Sequence, residues 1–467
     1  MIIFEKIWNS PTFTTWASFL SKSANIILIT PLVLNRFKAG DVNYWYFTSI
    51  ILSLLVLLDS GFGSAFVRII AYGSFKNIAG NDEEKDSTQD YLKRINGIMR
   101  GIYKILSIIS LVILSTFGTW LLIDIINKTT DYFNALVVWV CFVVTFPYLL
   151  WGNIYLNLLQ GVNLIPLVRR WDTLFNLIST SSIVIYIYAF QSSIFNVILI
   201  NQFWLIIAVV RNSLLVKNKF PDINLKSFKF SRNDEILKMV VPSALKSGFG
   251  ILLSQGVVQS SAFIYGQIAS PQLLGSYLVG LNLIQNIRNF SQAPFYSRIP
   301  LFSSLYSKGE MKELAKVSIK NMNLVYYFFT FFVLLFSYFS DIIFKIIHSH
   351  VDFPSKGLWS LLGIAFLIER YGAMHLQVYS TTNKIIWHYL NGITGVLMII
   401  SSVLLFKYVG VMSFPIGMII GYLLCYSWYA PYKSYQLLNV NPLKFEIKGI
   451  IPCIIILVIN FLALELL

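Results

Sequence analysis

The chain has 467 residues, of which 56% are hydrophobic and 12% charged, with a net charge of +15 and a mean hydropathy of +0.69. Soluble domains carry about 25% charged residues, so the composition excludes an ordinary soluble fold. The excess cations sit in short loops between apolar runs, which points to the positive-inside pattern of membrane proteins rather than to nucleic acid.

A spanning helix needs about 20 mostly apolar residues. That criterion predicts thirteen spans: 12–34, 42–58, 101–123, 132–156, 172–189, 194–216, 239–268, 272–290, 319–339, 358–379, 385–406, 411–429 and 449–466. No cleavable signal peptide is expected, because the first apolar run continues too far for one. The first span carries Thr15, Ser18, Lys22 and Asn25 at helical spacing on one face. The second ends on Asp59, and a solvated acidic patch at 81–86 reads as exposed loop or a helix start. Lys104 and Arg211 lie near span ends and are expected to snorkel.

The basic stretch 217–238 follows the sixth span and reads as a cytoplasmic linker. It divides the chain into an N-lobe at 1–216 and a C-lobe at 239–435, leaving 436–467 for a thirteenth span. A faint internal echo supports related halves. Residues 39–41 precede Tyr44 and Trp45, and residues 269–271 precede Gly275 and Tyr277.

The seventh span holds Lys246, Ser247, Gly250, Ser254, Gln255 and Gln259. The eighth places Asn282, Gln285, Asn286 and Asn289 on one face, with Arg288 beside them. Ser and Thr at such positions commonly serve helix packing. A lysine and four aligned amides cannot face lipid without leaving polar groups unpaired, so they predict a water-filled cavity. Its positive charge suggests an anionic substrate. Lys308, Lys312, Lys316 and Lys320 recur every four residues and suggest one basic helix face.

Toward the C-terminus, Glu369 and Arg370 are consecutive and are expected to point apart. Glu369 is left as either a proton site or the partner of a cation. His348, His350 and Asp352 form a compact cluster in an outer loop, expected to be solvated rather than metal-bound. His375 and His388 have no nucleophile nearby in sequence. Cys141, Cys425 and Cys453 each lie in an apolar run, which argues against disulfides and metal sites. The H-E-x-x-H, G-x-x-x-x-G-K-[ST] and G-x-S-x-G patterns are absent. A transporter is expected, not an enzyme.

Two regions carry a family resemblance. The first runs from Thr30-Pro31-Leu32 through Tyr44-Trp45 to Leu57-Leu58-Asp59-Ser60-Gly61-Phe62-Gly63. The second comprises Leu367-Ile368-Glu369-Arg370, Thr381-Thr382-Asn383-Lys384, Gly410-Val411 and Tyr429-Ala430-Pro431. Together they resemble the O-antigen and polysaccharide flippases of the multidrug/oligosaccharidyl-lipid/polysaccharide exporter superfamily. The resemblance implies an all-α integral membrane protein of two six-helix lobes in a V, here with one extra C-terminal helix. It implies alternating access and a polyprenyl-pyrophosphate-linked oligosaccharide, an O-antigen, capsular or exopolysaccharide repeat unit, as substrate.

On that reading Lys22, Asn25, Lys246, Asn282, Gln285 and Arg288 bind substrate, while Asp59, Glu369 and Arg370 are coupling or structural charges. No cofactor is expected; proton or sodium coupling stays open. Expected partners are the lipid-linked glycan, membrane lipids, and glycan polymerase and chain-length machinery, with no nucleic acid. The expected location is the bacterial cytoplasmic membrane, N-terminus inside, because Arg36, Lys38, Lys128, Lys345, Lys356 and Lys407 are the few loop cations on the opposite side. Two rivals remain: an ion-coupled small-molecule exporter of the same fold, and a membrane glycan polymerase or transferase.

Overall fold

The computed structural model describes residues 11–59, 61–63, 65–67, 69–70, 82–190, 193–221, 235–296, 298–382 and 386–466. Among the described residues the secondary structure is helical, with no strand. The stretches Tyr91–Asn127, Tyr132–Gly161, Ile194–Lys219, Met311–Ile347 and Tyr389–Leu438 are long and apolar enough to cross a membrane. The other predicted spans are helical too. The chain divides into two compact units, Met1–Gly248 and Phe249–Leu467.

The first unit contains α1 (Pro11–Arg36), α2 (Ala39–Asp59), α3 (Asp82–Ile113), α4 (Thr119–Asn127), α5 (Tyr132–Gly161), α6 (Ile165–Ala189) and α7 (Ile194–Lys219). A π-turn, Leu114–Gly118, joins α3 to α4. Here α1 packs along α6, and α5 lies between α3 and α7. The core under α3 and α5 is aliphatic and aromatic: Phe66, Ile95, Met99, Tyr103, Leu150, Ile154 and Leu158 are all buried. Residues 39–41 do not form a connecting loop. They are the first turn of α2, and the buried Asp41 accepts hydrogen bonds from the Thr130 amide at 2.9 Å and its hydroxyl at 2.7 Å. That pair ties the start of α2 to the turn between α4 and α5.

The long helix α8 (Glu235–Ile268) begins in the first unit and runs into the second. After it come α9 (Pro271–Ser291), α10 (Ala293–Tyr296), α11 (Ile299–Ser307), α12 (Met311–Ile347), α13 (Lys356–Ser380), α14 (Trp387–Val409), α15 (Ser413–Gly421), α16 (Ser427–Leu438), α17 (Pro442–Glu446) and α18 (Ile450–Leu466). A second π-turn, Tyr422–Tyr426, joins α15 to α16. The most enclosed helix of this unit is α13, packed against α12, α16 and α18. Its residues Leu362, Ala365, Leu367, Met374, Leu376 and Val378 are buried.

The basic lysine ladder is interrupted. Lys308 lies in a turn whose next residue, Gly309, has φ +73°, a left-handed backbone that favours glycine. Lys312, Lys316 and Lys320 follow on α12 and are exposed. Helix α12 therefore carries three of the four lysines, and the turn separates the other.

Candidate functional site

Among the described residues, each unit gathers cations around a carboxylate so that cations outnumber acids. In the first unit, the cluster forms where α1 meets α6. Thr14, Ser18 and Ser21 of α1 are buried, and Asn176 of α6 donates to the Ser21 hydroxyl at 3.1 Å. Ser21 is thus a helix-packing contact; the side chain of Thr15 lies outside the described residues. Lys22, one residue on, is exposed. The charges acting on it are Asp172 and Arg169 of α6. Asp172 in turn binds Arg211 of α7 at 2.8 Å and Arg169 at 3.5 Å. One carboxylate thus serves three cations.

Arg211 does not snorkel. It is buried, its guanidinium reaches Asp172 and the Asn212 amide oxygen, and it lies over the Phe175 ring at 5.1 Å. The expectation failed because Asp172 stands at the edge of an apolar run and was counted only as a span boundary. Lys104 is exposed.

Asp59 belongs to a separate cluster. The Tyr103 hydroxyl donates to it, and Asn157 donates to that hydroxyl at 2.7 Å. Among the described residues, its hydrogen-bond partners are Tyr103 and Asn153, both neutral. Gly63 closes the cluster from the other side: a Cβ there would come within 2.6 Å of the carboxylate.

In the second unit, Glu369 and Arg370 of α13 do not point apart. Both are buried, and the Arg370 Nε donates to Glu369 at 2.6 Å with a second guanidinium bond alongside. Two long side chains bend back toward each other and form a bidentate pair, the geometry that makes arginine–carboxylate bonds strong. Arg370 also donates to Gln292. Arg288 of α9 stands beside this pair. Its guanidinium lies over Phe366 at 5.5 Å, donates to Asn289 at 3.3 Å, and has an Nε without a partner. The charges acting on Arg288 are those of Glu369 and Arg370, together with Tyr422 and Tyr296. The π-turn supplies Tyr422 and Tyr426, both buried, to the cluster. Such turns are frequent at functional sites. Here two arginines share one carboxylate, and Glu369 is committed to the nearer one.

The amide stripe of α9 is present, and some of its members bond one another or α8. Asn286 donates to the Asn282 side chain at 2.7 Å and to its carbonyl at 2.9 Å. Gln285 accepts from Gln259 of α8 at 3.4 Å. The side chains of Asn25 and Lys246 lie outside the described residues, as does that of His388. His348, His350 and Asp352 are exposed, and among the described residues no group of His, Cys, Asp and Glu is placed to hold a metal.

No family model matches the chain, and no curated protein matches it. Solved structures do. A mutant of the Vibrio cholerae MATE transporter VcmN is similar with a TM-score of 0.60 at 13% identity, over 94% of this chain and 98% of that one. The outward-facing conformation of a multidrug resistance MATE family transporter of the MOP superfamily gives a TM-score of 0.56 at 14% identity, over 93% and 99% of the two chains. A MATE in complex with MaL6 gives 0.56 at 13% identity, over 93% and 96%. The chain therefore has the MATE transporter fold along nearly its whole length.

Proposed function

We propose that this chain is an exporter of the MOP superfamily that flips a polyprenyl-pyrophosphate-linked oligosaccharide across the bacterial cytoplasmic membrane, N-terminus inside. The observation that carries the reading is the excess of cations over acids in both clusters: Lys22, Arg169 and Arg211 around Asp172, and Arg288 and Arg370 around Glu369. Intramembrane cations are costly and mark substrate paths. A pyrophosphate would meet the guanidinium of Arg288 through charge-assisted hydrogen bonds. The half-buried amides of α9 suit sugar hydroxyls.

A small-molecule exporter is the second reading, favoured by the similarity to a multidrug resistance transporter. Charge separates the two, because a cationic drug gains nothing from these clusters. The test is reconstitution in proteoliposomes with two probes, a fluorescent lipid-linked oligosaccharide and a fluorescent organic cation. Transfer of the glycolipid to the opposite leaflet supports the proposal. Transport of the cation alone transfers the assignment to the second reading.

A further inference from the structure

A second set of titratable groups lies deep in the C-terminal unit, apart from the Arg288 cluster. His375 of α13 has no accessible surface. Its Nε2 is 3.0 Å from the Oε1 of Glu446, the last residue of α17. Glu446 is buried as well. The Tyr435 hydroxyl of α16 donates to the same Oε1 at 3.0 Å. Since that proton is committed, the Tyr371 hydroxyl, 2.7 Å away, donates to Tyr435. Rings of Tyr371, Tyr435 and Phe445 enclose the imidazole.

Three further polar atoms here have no partner: the His375 Nδ1, the Tyr326 hydroxyl and the Asn323 amide oxygen, the last two from α12. Tyr326 is fully buried and lies within the electrostatic reach of Glu446 and of Cys453 on α18. Lys444 and Lys448, which flank Glu446, are exposed. Among the described residues, His375 and Glu446 are the imidazole–carboxylate pair of this cluster, in direct contact through Nε2 and Oε1. With one proton between them the pair is neutral; without it, a buried carboxylate stands uncompensated among hydroxyl donors. Such a charge is strongly unfavourable away from water.

The cluster also decides how the last helix is attached. Glu446 ends α17, and Gly449 follows so closely that a Cβ there would be 2.5 Å from Asn323 and 3.2 Å from the other Glu446 oxygen. The Tyr327 hydroxyl donates to the Lys448 carbonyl. The far end of α18 is held independently by Asn460, which donates to Ser337 and Ser360 at 3.4 Å each. A cleft of about 270 Å³, lined by Ile368, Leu423, Leu443 and Ile450, opens over Tyr371, Tyr435 and Glu446 beside the near end of α18.

We infer that His375, Glu446, Tyr435 and Tyr371 form a proton-binding site that latches the near end of α18 when the His375–Glu446 pair holds its proton and releases it when the proton leaves. The site is independent of which substrate the chain carries. The orphaned polar atoms give the departing proton hydrogen-bonding positions inside an otherwise apolar shell.

Cys453 on α18 is buried and reports the opening. The purified full chain, with Cys141→Ser and Cys425→Ser, is alkylated with N-ethylmaleimide from pH 5 to 9. Each rate is divided by that of the denatured chain at the same pH. The ratio should rise with pH by up to about tenfold per unit across one window, the limit for an opening that releases one proton. The double variant His375→Gln with Glu446→Gln, which keeps hydrogen-bonding groups but leaves neither titrating group, should give a flat ratio. Tyr435→Phe removes one donor from the carboxylate, so the proton is held more tightly and the window should move to higher pH. A flat ratio in the parent chain, or the parent's slope persisting in the double glutamine variant, overturns the proposal. If the double variant fails to fold, an unmoved window in Tyr435→Phe overturns it equally.

Discussion

Glu369 and Arg370 are neighbours in sequence and partners in space, and this contact favours the second of the two roles open to Glu369, partner of a cation. A carboxylate already bonded twice to its own arginine is a structural anion first. Removing it leaves Arg370 buried and uncompensated, which costs about 3–5 kcal/mol. Glu369→Gln should therefore lower the thermal midpoint of the purified protein and its membrane abundance, and Glu369→Gln with Arg370→Met should recover most of both. A normal midpoint with a lost pH-gradient response would return Glu369 to the coupling role. Asp131, outside the spans, behaves in the opposite environment. It caps α5, accepting from the Asn134 backbone amide at 3.1 Å and its side-chain amide at 2.6 Å. These bonds hold its carboxyl below the usual carboxylate range. A depressed value in the folded chain means the stabilisation is complete above about pH 4, the ordinary value, and is lost as pH falls through the lowered one. Asp131→Ala should thus lower the thermal midpoint at pH 7, with the gap closing in strong acid.

Helices were the most legible level of this chain, and their ends were less so. Predicted span 194–216 and observed α7 (Ile194–Lys219) share a start. Span 172–189 begins seven residues late against α6 (Ile165–Ala189), because Arg169, Arg170 and Asp172 break the apolar window while the backbone stays helical. The same holds for 319–339 against Met311–Ile347, where the lysine-bearing first turns extend the helix beyond its apolar part. The charge partners were illegible for a different reason. Asp172 meets Arg211 from 39 positions away and Glu446 meets His375 from 71. Periodicity reports the face of one helix, not what another helix brings to it. Gly61, in the L-D-x-G-x-G stretch, shows a motif residue acquiring a physical reason. A Cβ there would lie 1.9 Å from the Ala244 carbonyl oxygen of α8. Backbone cannot yield as a side-chain tip can, so Gly61→Ala should cost about 1–3 kcal/mol or more, as overpacked sites do. The expected readout is a drop in folded yield, with Asp59→Asn, a smaller change nearby, retaining more.

At the scale of the whole molecule, the MATE fold does not name the cargo, and charge is the feature that separates one cargo from another. Fold never implies function by itself. Here Lys22 is accessible while Arg211 and Arg370 are tied to carboxylates. On the proposed reading, Lys22 and Arg288 are cations left for a ligand, and Lys246 joins them from its sequence position on α8. If a pyrophosphate passes these residues, Lys22→Ala, Lys246→Ala and Arg288→Ala should each slow flipping of the lipid-linked glycan about tenfold or more, the loss of one charge-assisted hydrogen bond worth roughly 1.5–3 kcal/mol. Insertion should be intact, since removing an intramembrane cation eases it. Lys22→Arg should keep more activity than Lys22→Ala, because charge is conserved. Arg211→Ala should behave differently: it removes the 2.8 Å partner of Asp172 and leaves that carboxylate to Arg169 and Lys22, so it should reduce abundance before it reduces rate. Lys104→Ala is the neutral control. All are compared at equal membrane abundance, and three cavity variants as active as the Lys104 control would falsify the anionic-substrate assignment.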